Sequence, residues 1–271
     1  MRLTDDPWRI GKRRILLPDG RSLAYVDTAG AGPAAILLHG YTDTSRSYGA
    51  LAALLPEFRL IIPDLPGHGD SDEDEKADLA TLAEDMETLA RQLDLRPALL
   101  VGHSFGSLLA LQLARRKTWD GIRVVTLAGT AWPGLGGLTD LAPIWRFPDL
   151  LDPSDPFFDS WYLGPEPLDA GFLEQVRAEA AAMPVRVWHW YLDLLENIDL
   201  RPALPEITAP VLAISGGRDP LFDARHADLL AGHLPRVRDM RLPERGHNPH
   251  WDAPEEVADL IRGWLNAVSG C

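Results

Sequence analysis

Ala98-Leu99-Leu100-Val101-Gly102-His103-Ser104-Phe105-Gly106-Ser107-Leu108-Leu109 is the stretch on which the reading of this chain turns. Its first four residues suit a short strand buried on both faces. From Phe105 to Arg116, leucines and alanines recur at three- and four-residue spacing, the signature of a helix with one apolar face. Between strand and helix lies G-x-S-x-G, a turn that forces its serine into a strained backbone and exposes the hydroxyl at the sheet's carboxyl edge. Glycines two residues before and after Ser104 let strand and helix approach without Cβ clashes. The rival reading is a glycine-rich turn holding an ordinary serine, but the strand–turn–helix context makes Ser104 a candidate nucleophile.

Outward from this turn, apolar runs recur at 34–38, 60–62, 124–127 and 211–214, with 238–242 a weaker strand-like example and a hairpin expected around Pro18-Asp19-Gly20-Arg21. Helical patterns such as Leu79 to Leu93 alternate with them. That alternation predicts an α/β fold, a mostly parallel central sheet with helices on both faces. The pattern fails between 131 and 205, which holds 10 of the 23 prolines and five of the nine tryptophans. A structureless loop of that length does not belong in a compact domain, so a helical cap insertion is expected there. Its two helices are read at Leu168 to Met183 and Pro184 to Asn197. The core domain would then be 1–130 and 206–271, and the cap 131–205.

A serine hydroxyl is a weak nucleophile until a base takes its proton, and the base needs an orienting acid. In the chain order that goes with this turn, acid and then histidine follow the serine. Asp219 stands in Gly216-Gly217-Arg218-Asp219-Pro220, directly past the run at 211–214. His247 stands in Gly246-His247-Asn248-Pro249, past the run at 238–242. Both positions lie where loops leave the sheet edge that presents Ser104. His250 and Asp140 are rival positions for base and acid.

These motifs, with His39-Gly40-Tyr41 and Asp64-Leu65-Pro66-Gly67-His68-Gly69-Asp70-Ser71, come in an order that resembles the α/β-hydrolase fold superfamily over nearly the whole chain. The resemblance implies Ser104 as nucleophile, His247 as base and Asp219 as its partner. It also implies an oxyanion hole made by the backbone N–H groups of Tyr41 and Phe105. One departure is Ser107, where many relatives carry glycine. Cap tryptophans Trp132, Trp161, Trp188 and Trp190 are candidates for a substrate-pocket wall, or else for the cap's own core.

Composition narrows the function further. With 26 Lys+Arg against 40 Asp+Glu the chain carries a net charge of −14, which repels phosphate backbones, so no nucleic-acid partner is expected. Cys271 is the single cysteine, so no intrachain disulfide is expected. No apolar leader and no stretch long enough to span a bilayer is read, which predicts a cytoplasmic protein with no membrane partner. There is no G-x-G-x-x-G and no H-E-x-x-H spacing, so no cofactor and no metal enter the expectation. The expected partner is a small-molecule substrate: a small-to-medium, neutral, apolar carboxylic ester or lactone, cleaved through an acyl-enzyme. C–C hydrolysis, perhydrolysis and aminopeptidase chemistry are alternatives on the same residues. The last would use Glu166, Glu174, Glu179 or Glu196 to hold an amine. A non-catalytic ligand-binding protein of the same fold is the alternative from another class.

Overall fold

In the computed structural model, which describes residues 6–269 except 75–77, 163 and 166, the hairpin forms as expected. Strands β1 (Arg13–Leu16) and β2 (Ser22–Asp27) pair antiparallel, with Arg14 opposite Ala24. The remaining strands are β3 (Ala34–Leu38), β4 (Arg59–Pro63), β5 (Leu99–His103), β6 (Arg123–Leu127), β7 (Val211–Gly216) and β8 (Val237–Leu242). The sheet order is β1-β2-β4-β3-β5-β6-β7-β8, and every pair from β4 to β8 is parallel. The α-helices among the described residues are α1 (Pro7–Ile10), α2 (Gly49–Ala53), α3 (Leu79–Gln92), α4 (Phe105–Arg116), α5 (Phe157–Trp161), α6 (Ala170–Ala182), α7 (Val185–Asn197), α8 (Ala224–His233), α9 (Pro249–Asp252) and α10 (Pro254–Ser269).

Period-two alternation along the parallel strands divides the core between two faces. Ile36, Leu38, Ile61, Leu100, Val124 and Ala213 point to one side and pack with Leu82, Met86 and Leu89 of α3, Leu108, Leu109 and Leu113 of α4, and Leu230 of α8. Their sequence neighbours Ala35, Leu37, Leu60, Ile62, Leu99, Val101, Val125 and Leu212 face the other side, against Leu51 of α2 and Val257, Ile261 and Trp264 of α10. Each fully buried leucine or isoleucine stabilises such a sandwich by about 1.5–3 kcal/mol. The order of connection matters as much as the burial. From β3 the chain moves outward to β4, then crosses back to β5 on the other side of β3. A crevice opens at such a switch point, outside the carboxyl ends of the strands. With Leu38 opposite Gly102, the loops leaving β3 and β5 emerge side by side, so topology alone brings Tyr41 near Ser104.

Between β6 and β7 the described residues form helices, turns and irregular segments but no strand. The helix expected at 168–183 is α6, capped by Asp169, whose side chain accepts from the Phe172 N–H. The one expected at 184–197 is α7, opened by Pro184. Trp188, Tyr191 and Phe158 are fully buried in this segment, and they belong to the same apolar cluster as the α3–α4 face of the sheet. The insert therefore extends the core. Among the described residues, no helix is long and apolar enough to cross a membrane.

Candidate active site

Ser104 has φ 49° and ψ −113°, outside the regions that L-residues ordinarily adopt, a strain of about 1–3 kcal/mol. The surrounding backbone enforces it. A Cβ on Gly106 would stand 2.1 Å from the Leu38 carbonyl oxygen, and one on Gly102 would stand 2.2 Å from that of Gly106. Only glycine allows β3, β5 and α4 to come this close. Ser107 does not disturb the turn, because its hydroxyl donates to the Ser104 carbonyl at 2.6 Å and braces the bend.

Asp219 and His247 meet by a similar close approach. A Cβ on Gly216 would strike the Gly246 carbonyl oxygen at 2.1 Å, so the loops leaving β7 and β8 run in contact. His247 Nδ1 lies 2.8 Å from Asp219 Oδ2. The other carboxylate oxygen of Asp219 accepts from the backbone N–H groups of Leu221 and Phe222 at 2.8 and 2.9 Å. Burial opposes the charge on Asp219, but the His247 contact and those two N–H donors outweigh it and hold the carboxyl below its usual range. For His247, burial pulls the imidazole down. The charge and hydrogen bond of Asp219, with a contribution from Asp43, reverse this and raise it above the ordinary histidine value. Because Nδ1 donates to the carboxylate, the neutral ring leaves the Nε2 lone pair free.

Ser104 and His247 line one cavity of about 350 Å³, whose wall also includes Tyr41, Thr42, Asp43 and His103 from the core. Leu138, Leu141, Phe157, Trp161 and Leu195 close it from the insert. Phe105 is the first residue of α4, where N–H groups have no partner within the helix and point outward. The loop carrying Tyr41 is tied to the insert at three points. The Tyr41 hydroxyl donates to the Trp188 carbonyl, Trp161 Nε1 donates to Thr42 Oγ1 at 2.8 Å, and Thr44 Oγ1 donates to Glu179 Oε2 at 2.6 Å.

Residues 33–254 match the family model described as the alpha/beta hydrolase fold. The chain belongs to the α/β-hydrolase fold family. This hydrolase is 30% identical to the magnesium-chelatase 30 kDa subunit of Rhodobacter capsulatus, with 89% of each chain covered. It is 29% identical to a pimeloyl-[acyl-carrier protein] methyl ester esterase of Methylococcus capsulatus, covering 89% of this chain and 98% of the other. A crystallised hydrolase from Pseudomonas aeruginosa PA01 superposes with TM-score 0.82 at 26% identity, over 94% of this chain and 98% of the other.

Of the tryptophans singled out in the α/β hydrolase's sequence, Trp161 lines the cavity and the other three do not. Trp188 is fully buried inside the insert, its indole donating to the Ala180 carbonyl. Trp190 packs edge-on to Tyr191, and Trp132 carries the Arg201 guanidinium over its ring at 3.7 Å. The rotation of α7 accounts for Trp188 and Trp190, while Trp132 stands on extended backbone and packs against Arg201 instead of the cavity. The acids considered for an amine also lie elsewhere. Glu179 is buried between Arg46 and Thr44, Glu196 accepts from Trp145 Nε1, and Glu174 faces a surface depression beside Arg177. Glu166 falls outside the described residues. His250, the rival base, is buried against His103 and Tyr48 away from the opening, and the side chain of Asp140 lies outside what is described. The carboxylate that does line the cavity is Asp43, which the sequence did not single out. Its one sequence signal is its place three residues after Gly40, in the loop that leaves β3 at the switch point.

Proposed function

We propose that this protein is a serine carboxylic ester hydrolase that cleaves small-to-medium esters or lactones of apolar body through an acyl-enzyme. The observation that carries the reading is the joint placement of strained Ser104 and Asp219-paired His247 on one cavity. His247 Nε2 takes the Ser104 proton as Oγ bonds to the substrate carbonyl carbon. The resulting oxyanion accepts hydrogen bonds from the Tyr41 and Phe105 N–H groups, donors fixed before the reaction by the switch-point loop and the first turn of α4. As the carbonyl reforms, the bond from carbon to the leaving oxygen breaks and His247 returns the proton to that oxygen. Water, deprotonated by the same imidazole, then releases the acid. Asp219 keeps Nδ1 protonated and stabilises the imidazolium in both halves.

The curated relatives named as methyl ester esterases support an ester as substrate. An apolar body fits a wall of Leu138, Leu141, Phe157 and Trp161. In this reading residues 131–205 are a cap over a core of 1–130 and 206–271, and the cap sets which esters fit. The test is reaction with a fluorophosphonate and turnover of p-nitrophenyl esters of increasing chain length. The expected result is label on Ser104 and turnover that vanishes in Ser104→Ala. Turnover persisting in that variant, or a folded wild-type protein that takes no label, overturns the assignment.

A further inference from the structure

Beyond its contribution to raising the His247 imidazole, Asp43 has no step in the reaction just described, yet it stands on the wall of the same cavity and is the only carboxylate among the residues lining it. Its side chain is 7% exposed, and among the described residues no protein hydrogen bond reaches its oxygens. The one charged-type neighbour is His103, whose Nδ1 lies 3.4 Å from Asp43 Oδ2. That contact leaves the carboxylate unsatisfied. His103 Nε2 lies 2.9 Å from the His247 carbonyl oxygen, which can only accept, so Nε2 carries the proton. Nδ1, the ring nitrogen nearer Asp43, is buried without a hydrogen-bond partner, so at 3.4 Å it gives the carboxylate no hydrogen bond. A nearly buried carboxylate that faces a mostly apolar cavity with no protein donor is costly, and a bound cation with N–H groups removes the cost.

Resting on the ester-hydrolase reading above, we propose that Asp43 is a recognition site for a protonated amine, so that the preferred ester carries an ammonium group on its apolar body. Two further features agree. Residues 131–205, which supply the facing wall, contain 12 acids and four arginines, a field that draws cations toward the opening over about 8 Å at physiological salt. Asp43 also sits two residues beyond Tyr41, one of the two proposed oxyanion donors. Left bare, its charge opposes the negative charge that develops on the substrate oxygen, and a bound ammonium cancels that opposition. The expectation of an uncharged substrate is amended accordingly: anions are repelled, and a single positive charge has a place to sit.

The test compares a series of ω-ammonium methyl esters of increasing acyl length with length-matched methyl alkanoates. The wild-type protein should favour the ammonium member at one length by roughly 10- to 100-fold in kcat/KM, the range of a charge-assisted hydrogen bond. In Asp43→Asn that ratio should collapse to about one, whatever happens to the rate common to both series. Thermal melts verify folding, and Asp43→Ser gives the same comparison if the amide variant does not fold. Calorimetry with hexylammonium on Ser104→Ala, with and without Asp43→Asn, separates this idea from the reaction it rests on. Binding lost only in the double variant supports the site even if no ester is turned over. Alkanoate turnover with no ammonium preference at any length overturns the site and leaves the esterase standing, and so does a preference that survives Asp43→Asn.

Discussion

The two walls of the cavity are built by opposite means. On the core side, Ser104, His247 and Tyr41 ride on loops whose backbones pass so closely that a single added Cβ would meet a carbonyl oxygen near 2.1 Å. On the insert side, Leu138, Leu141, Phe157 and Trp161 present side-chain bulk from helices and turns. The first wall tolerates no change of backbone path, and the second can change by one side chain at a time. In the proposed function, chemistry belongs to the rigid wall and selectivity to the adjustable one.

That division can be broken by experiment. Ser104→Ala should lower kcat by about 10⁶-fold toward p-nitrophenyl butyrate, the largest effect expected. Asp219→Asn should cost about 10⁴-fold, since it removes the group that holds the His247 tautomer. It should also move the acid limb of the kcat/KM profile. The base must be neutral, and Asp219 raises the His247 pKa, so activity in the wild-type protein should fall as pH drops through a value above 6.5. Without the carboxylate the limb should move to lower pH, and a limb that stays in place would show that another group sets it.

Glu179→Ala probes whether the walls are independent. Glu179 and Arg46 are each 7% exposed, and the change leaves the guanidinium with Asp6 and Gln175 as its remaining partners. With Asp6 still paired to the guanidinium, a loss of roughly 1.5–3 kcal/mol is expected in chemical denaturation, the range of a hydrogen bond to a charged group. Because Glu179 also holds Thr44, kcat should fall in the surviving folded fraction, with KM changed less. A stability loss with unaltered kcat would mean that the insert only covers the site. The smallest effect belongs to Leu138→Phe, which narrows the adjustable wall. It should cut kcat/KM for long-chain esters about tenfold relative to short ones, within the 1–3 kcal/mol of a hydrophobic pocket contact.

The rigid wall was also the legible one. G-x-S-x-G and the paired glycines at 216–217 are sequence records of backbone close approach, and close approach admits one residue type. Strand runs at 34–38 and 124–127 appeared within a residue of their observed ends, because burial on both faces leaves no room for polar interruption. The insert was legible as two helices and little more. Tryptophans at 132, 188 and 190 suit a pocket and a small core equally well in composition, and the rotation of α7 turned the latter two away from the cavity. Asp43 escaped notice for a related reason: an acid in a loop reads as solvated until the fold closes a cavity around it.

The three ties between residues 41–44 and the insert carry a consequence for anyone who wishes to exchange specificities among proteins of this architecture. A transplanted insert brings its own carbonyls, indoles and acids, and they arrive without the tyrosine, threonines and arginine that receive them here. The exchangeable module is therefore a discontinuous one, the insert together with the short loop after β3, and a graft that carries both should inherit the proposed oxyanion geometry along with a new pocket.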